Sequence, residues 1–138
     1  MSRQEILDQL CRDHGVLAVY LFGSRADDGL RLLKGEEVSR EGSDLDVGVV
    51  FQDSSISFER LASLQVGLED VFAPLRIDLV PVNRVDALFQ FAAVDGHRIV
   101  ETDVDAADDY ELRVMNRAAD LLPIQRQIEI ERFGVSTT

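Results

Sequence analysis

The spacing of apolar positions changes several times along the chain, and each change predicts an element. Ile6, Leu7, Leu10 and Cys11 recur at helical spacing among Arg3, Glu5, Asp8, Gln9 and Arg12, so residues 3–13 read as an amphipathic helix that stops at Gly15. Residues 16–22 are apolar throughout and bounded by glycines, the pattern of a strand covered on both faces. Residues 26–43 hold Gly29, Gly35 and Gly42 among many charges and are expected to form a loop, with one helical turn near residues 30–34. Residues 44–51 alternate: Leu45, Val47, Val49 and Phe51 point one way, and Asp44, Asp46, Gly48 and Val50 the other.

A helix is expected over residues 57–72, with Phe58, Leu61, Leu64, Leu68 and Phe72 inward and Pro74 beyond its end. Residues 75–82 read as a third strand with Asp78 in its middle. Asn83 is placed to cap a short helix over residues 85–94, and residues 98–101 suit a short edge strand. A last helix begins in the acidic segment 105–109, where negative charge favours a helix N-terminus; it turns Leu112, Met115, Ala119 and Leu122 inward and ends at Pro123. This order of elements belongs to one α/β (or α+β) domain, residues 1–138 with a core of about 1–125. The link between the first two strands implies a small mixed sheet with helices packed on it.

Composition narrows the function. In 138 residues, 46% hydrophobic positions supply an ordinary globular core. The 14 Lys and Arg against 26 Asp and Glu leave a net charge of −12, which argues against direct nucleic acid binding. Free nucleotide carried on a metal ion is compatible with that charge. No apolar run approaches the ~20 residues that span a bilayer, and Met1-Ser2-Arg3-Gln4 leads into a polar helix, so a cytoplasmic protein is expected. The single cysteine, Cys11, reads as a buried apolar residue. His14 and His97 fit no catalytic or metal-ligand pattern and are expected at the surface.

Three acids stand where a sheet does not favour them: Asp44 and Asp46 two apart on one strand, and Asp78 between Ile77 and Leu79 on another. Two like charges ~4 Å apart oppose each other by roughly 4 kcal/mol at an effective dielectric near 20. Either a pKa rises or a cation is needed, and carboxylate oxygens with open positions are what Mg²⁺ takes. Gly23-Ser24 closes the preceding strand, where a missing Cβ lets backbone N–H groups approach a phosphate. Singly, these features have plain readings: a tight turn at Gly23-Ser24, a cap at Ser43-x-x-Asp46, and an ion pair from Asp78 to Arg76 or Arg25. Their order along the chain favours a shared site.

Leu21-Phe22-Gly23-Ser24-Arg25, Gly42-Ser43-Asp44-Leu45-Asp46-Val47 and Arg76-Ile77-Asp78-Leu79-Val80 together resemble the minimal nucleotidyltransferases of the polymerase-β-like superfamily, especially the MntA-type antitoxins. The resemblance covers about residues 1–125. It implies two Mg²⁺ ions, replaceable by Mn²⁺, and transfer of a nucleoside monophosphate, with AMP expected, from ATP or another nucleoside triphosphate to a hydroxyl. By the same resemblance, Gly23 and Ser24 hold the triphosphate, and Arg25 steadies phosphates or the carboxylates. Asp44 and Asp46 ligate both metals, while Asp78 ligates the catalytic metal and helps take the proton. Residues 30–40 look inserted relative to the family.

The resemblance also implies an acceptor: a tyrosine or other hydroxyl on a HEPN-type, HepT-like ribonuclease toxin, making this chain the antitoxin of a pair. Two alternatives stay open, a non-catalytic antitoxin that masks its partner and an enzyme modifying a small molecule such as an aminoglycoside. Leu88, Phe89 and Phe91 on one short helix would expose apolar area unless a partner or a second copy covers them, so a homodimer or hetero-oligomer is expected.

Overall fold

The computed structural model describes residues 1–133 as backbone and residues 1–123 with their side chains. Four strands form one sheet in the order β3-β2-β1-β4: β1 (Val16–Phe22), β2 (Leu45–Phe51), β3 (Ile77–Pro81) and β4 (His97–Glu101). The central strand β1 is antiparallel to both β2 and β4, while β2 and β3 are parallel. A parallel pair needs a crossover, and α3 (Phe58–Val71) supplies it. The sheet is therefore mixed, as the sequence implies.

Alternation along β2 divides the core between the two faces. Leu45, Val47, Val49 and Phe51 pack against α1 (Arg3–Asp13), α2 (Ala26–Leu33) and α3 through Leu7, Cys11, Leu32, Leu64 and Leu68. On the other face Tyr20 and Val50 meet α4 (Ala87–Val94) and α5 (Val104–Phe133) through Ala93, Val94, Ala107 and Val114. The first helix begins on a capping box, with Ser2 accepting from the Glu5 N–H and Glu5 reaching back to Ser2.

Several expectations need correction. Residues 26–43 are not one loop: residues 26–33 form α2, whose buried Gly29 lets the helix lie against Leu21 and Leu45. Asp44 precedes β2, which begins at Leu45, and the third strand covers residues 77–81 instead of 75–82. Phe58 is exposed at the first turn of α3. Asn83 does not cap α4; its side chain takes the Phe51 N–H and donates to the Phe51 carbonyl, and Asp86 caps the helix instead. Where the local pattern puts Leu112, Met115, Ala119 and Leu122 inward, the buried stripe is Ala107, Val114 and Ala118, and the expected four are exposed. The helix also continues through Pro123 to Phe133.

The face of α5 is chosen by a polar clamp as well as by packing. Tyr20 Oη donates to Glu111 Oε1 at 2.5 Å, and Arg98 pairs with Glu111, Asp108 and Glu101 at 3.1, 2.8 and 3.3 Å. Burial first, then the Glu111 hydrogen bond, pushes the Tyr20 phenol well above its ordinary pKa. His14 is half-buried, with Nδ1 2.8 Å from the Leu10 carbonyl and Nε2 2.9 Å from Ser63 Oγ, so it links α1 to α3 and is no loose surface group. On α4, Phe91 packs on the second core, while Phe89 is partly exposed and meets Phe22 edge-on at 6.1 Å. Among the described residues no helix is long and apolar enough to cross a membrane.

Candidate active site

The ends of β1, β2 and β3 bring the expected residues to one edge of the sheet. Asp46 pairs in register with Phe22 on one side and with Asp78 on the other, so the two carboxyl groups stand side by side on adjacent strands. Partial burial, the Asp78 charge and hydrogen bond, and then the Asp44 charge raise the Asp46 pKa above its ordinary value. Asp44 lies two residues earlier, just before β2, its Oδ1 3.2 Å from Arg76 Nε. Both members of that pair are substantially exposed, so it holds by ~0–1 kcal/mol, and a divalent cation offers Asp44 a stronger partner. Among the described residues no three Asp, Glu, His or Cys side chains are already gathered around one point as a metal cluster.

Gly23 follows at the tip of β1 with φ +75°, a conformation that favours glycine, and a Cβ there would overlap the Asp46 carboxylate. The close approach of backbone to carboxylate therefore depends on this residue. Ser24 Oγ lies 2.8 Å from Ser43 Oγ, tying the turn to the segment that delivers Asp44. No side chain caps the N-terminus of α2, which begins two residues after Ser24, so its first N–H groups add a partial positive charge beside the turn.

The structure gives Arg25 a part in organising the backbone. Its guanidinium is buried, with Nε donating to Asp28 Oδ2 at 2.7 Å, and its terminal nitrogens donate to the carbonyls of Ser39, Glu41 and Ser43 at 2.6, 3.0 and 3.2 Å. Gly42, with φ +123°, makes room, since a Cβ there would come 2.9 Å from the guanidinium. Arg25 thus straps residues 39–43 and steadies the approach to Asp44.

A polar cavity of about 280 Å³ opens beside the Gly23–Ser24 turn, lined also by Asp27, Asp95, Gly96 and His97. In the sequence, Asp95-Gly96-His97 carries only the local signal of a turn. His97, expected as an uncommitted surface residue, stands at the mouth of the cavity with Nε2 3.5 Å from Asp27 Oδ1. A second cavity, of about 430 Å³, lies beyond Asp44 and Arg76 against Ala73, Pro74 and Leu75. Of the three acids, Asp44 lines the second of these cavities.

The chain matches the family model described as Polymerase beta, Nucleotidyltransferase over residues 4–105, a span that contains every site residue named above. The protein belongs to that family. The matched span contains the Gly23–Ser24 turn and the acids Asp44, Asp46 and Asp78 that the sequence singles out. Three solved structures share the fold of this nucleotidyltransferase over nearly its whole length, each at 18% identity. One is a mutant of the toxin–antitoxin pair MntA–HpeT (TM-score 0.68, covering 98% of this chain and 100% of that one). Another is the toxin–antitoxin with AMP-PNP (TM-score 0.67, 96% and 98%). The third is a tri-AMPylated Shewanella oneidensis HEPN toxin in complex with MNT antitoxin (TM-score 0.65, 96% and 97%). No curated protein matches the chain in sequence.

Proposed function

We propose that this nucleotidyltransferase moves AMP from ATP, in a Mg²⁺-dependent reaction, to a tyrosine hydroxyl of a HEPN-type toxin, and so acts as the antitoxin of that pair. The observation that carries the proposal is the in-register pairing of Asp46 with Asp78 beside the Gly23–Ser24 turn. The acids supply an all-oxygen donor set, and burial followed by the neighbouring Asp78 charge raises the Asp46 pKa. That set suits Mg²⁺. Asp44, Asp46 and Asp78 would hold the ions, which supply Lewis-acid stabilisation of the charge on the transferring phosphoryl group. Support for the acceptor comes from two solved complexes that contain a chain of this fold, one a tri-AMPylated HEPN toxin with MNT antitoxin and the other a toxin–antitoxin with AMP-PNP.

The chain's own residues perform the remaining tasks. The Gly23–Ser24 backbone, the Ser24 hydroxyl and the uncapped N-terminus of α2 bind the phosphates and fix the α-phosphorus beside the acids. The acceptor oxygen forms its bond to the α-phosphorus as the bond from that phosphorus to the bridging oxygen breaks. Pyrophosphate leaves with that oxygen. The hydroxyl proton passes to an Asp78 carboxylate oxygen and from there to solvent. Placement and electrostatics account for the chemistry, and no covalent intermediate on the protein is required.

The test is incubation of the chain with a purified HEPN-type toxin and ATP labelled at the α-phosphate. Label should appear on a toxin tyrosine with wild-type protein and disappear with Asp46→Asn. Toxin neutralised without any label, by wild type and variant alike, would assign the chain to masking by contact alone.

A further inference from the structure

Asp46 and His97 flank the end of β1 from opposite sides: Asp46 is the register partner of Phe22 through β2, and His97 that of Leu21 through β4. Two strand spacings, roughly 10 Å, separate them, with the Gly23–Ser24 turn between. The cavity of about 280 Å³ opens on the far side of that turn from the acids, where a nucleoside triphosphate with its α-phosphate at the acids has room for its remaining phosphates. The charged side chains lining this cavity are Asp27, Asp95 and His97, so His97 is the lining residue able to carry positive charge. Arg25, next to the turn in sequence, is buried and engaged with the 39–43 carbonyls.

The start of β4 is held firmly in place. Gly96 packs so closely that a Cβ would overlap the Leu21 carbonyl, and its N–H donates to the Ala93 carbonyl at 3.1 Å. The imidazole thus projects from a fixed backbone. Its Nε2 faces an Asp27 carboxylate oxygen at 3.5 Å, and that carboxylate is 91% exposed. Asp27 presents an oxyanion to His97 and is held only weakly, because exposed ion pairs are screened by water. A terminal phosphate carries more charge and more acceptor oxygens, and it can take the same position.

We propose that His97 binds the terminal phosphate of the nucleoside triphosphate, with Asp27 occupying its Nε2 as a displaceable carboxylate until the phosphate arrives. His97 then selects triphosphates over monophosphates and holds the pyrophosphate end while the α-phosphorus reacts. The assignment rests on the nucleotidyltransferase reading for the position of the α-phosphate, but its test needs no acceptor.

Calorimetry with the whole chain in Mg²⁺ would compare ATP, pyrophosphate and AMP as ligands. His97→Ala should weaken ATP and pyrophosphate about tenfold or more, the usual scale for losing a charged hydrogen bond, and leave AMP within twofold. Asp27→Asn, which removes the competing carboxylate, should bind ATP at least as tightly as wild type. Because His97 is half-exposed, the melting curve of unliganded His97→Ala should match wild type. Equal weakening of AMP and ATP, or no weakening of either, would overturn the assignment; so would Asp27→Asn losing ATP affinity as His97→Ala does. A chain that passes this test yet labels no toxin retains the phosphate contact and loses the proposed acceptor. One that labels toxin with an unaltered ATP affinity in His97→Ala loses only the phosphate contact.

Discussion

Asp46 and Asp78 are register partners on the parallel strands β2 and β3, so their carboxyl groups project side by side from the ladder. Like charges directly opposite each other weaken a sheet, so this pair stores an opposition that a bound cation relieves. Without divalent cation at neutral pH, Asp46→Asn should melt at a higher temperature than wild type. With Mg²⁺ and ATP wild type should gain in Tm and the variant should gain little, while its transfer rate falls by about three orders of magnitude as several kcal/mol of charge stabilisation are lost. Differential scanning calorimetry and α-phosphate labelling measure the two effects. A variant no more stable than wild type in the absence of metal would contradict the repulsion.

Gly23→Ala tests the contact between turn and carboxylate. The positive φ penalises alanine by ~1–2 kcal/mol, and its methyl would collide with Asp46. Loss of transfer activity should exceed what the drop in Tm explains, because the displaced group is itself at the site. Retention of full activity in a folded Gly23→Ala protein would show that the close approach is not needed.

Arg25→Lys separates charge from geometry. Lysine keeps the positive charge but lacks the planar fork that meets three carbonyls and Asp28. Stability should fall by about 2 kcal/mol, and amide exchange over residues 39–43 should accelerate while β1 stays protected. If Arg25 instead acts chiefly on the triphosphate, ATP affinity will drop with exchange unchanged.

The fully buried Cys11 thiol should be inert. Burial first, then the Asp8 charge, pushes its pKa up to about 12 from an ordinary 9.0, with Arg12 opposing. The folded value lies above the unfolded one, so the associated stability is complete below about pH 9 and is lost as pH rises toward 12. A thiol reagent at pH 8 should leave the native protein unlabelled and modify it fully in denaturant, and Cys11→Ala should flatten the alkaline fall in Tm. Rapid labelling of native protein would place the thiol nearer the surface.

On α5, neighbouring apolar residues should differ sharply. Val114 is buried and Leu112 exposed, so Val114→Ala should lose ~2 kcal/mol and Leu112→Ala less than ~0.5 kcal/mol. Urea titrations of the two variants check this, and the reverse order would mean that the helix docks through the other stripe.

By itself the sequence determined what short-range periodicity can determine. Strand alternation set Leu45, Val47, Val49 and Phe51 on the opposite face from Asp46, glycine marked the turn at Gly23, and the helical spacing of Leu7, Cys11, Leu64 and Leu68 fixed the faces of α1 and α3. Tertiary structure decided the rest, because those choices depend on contacts between residues far apart in the chain. The crossover through α3 set Asp78 opposite Asp46, and Arg25 turned inward once residues 39–43 lay within its reach. The face of α5 could not be read locally, since Leu112 and Met115 offer as apolar a stripe as Val114 and Ala118. Tyr20 and Arg98, from other strands, select it through Glu111. His97 reaches the Gly23–Ser24 turn for the same reason: pairing of β4 with β1 brings together residues that no local pattern connects.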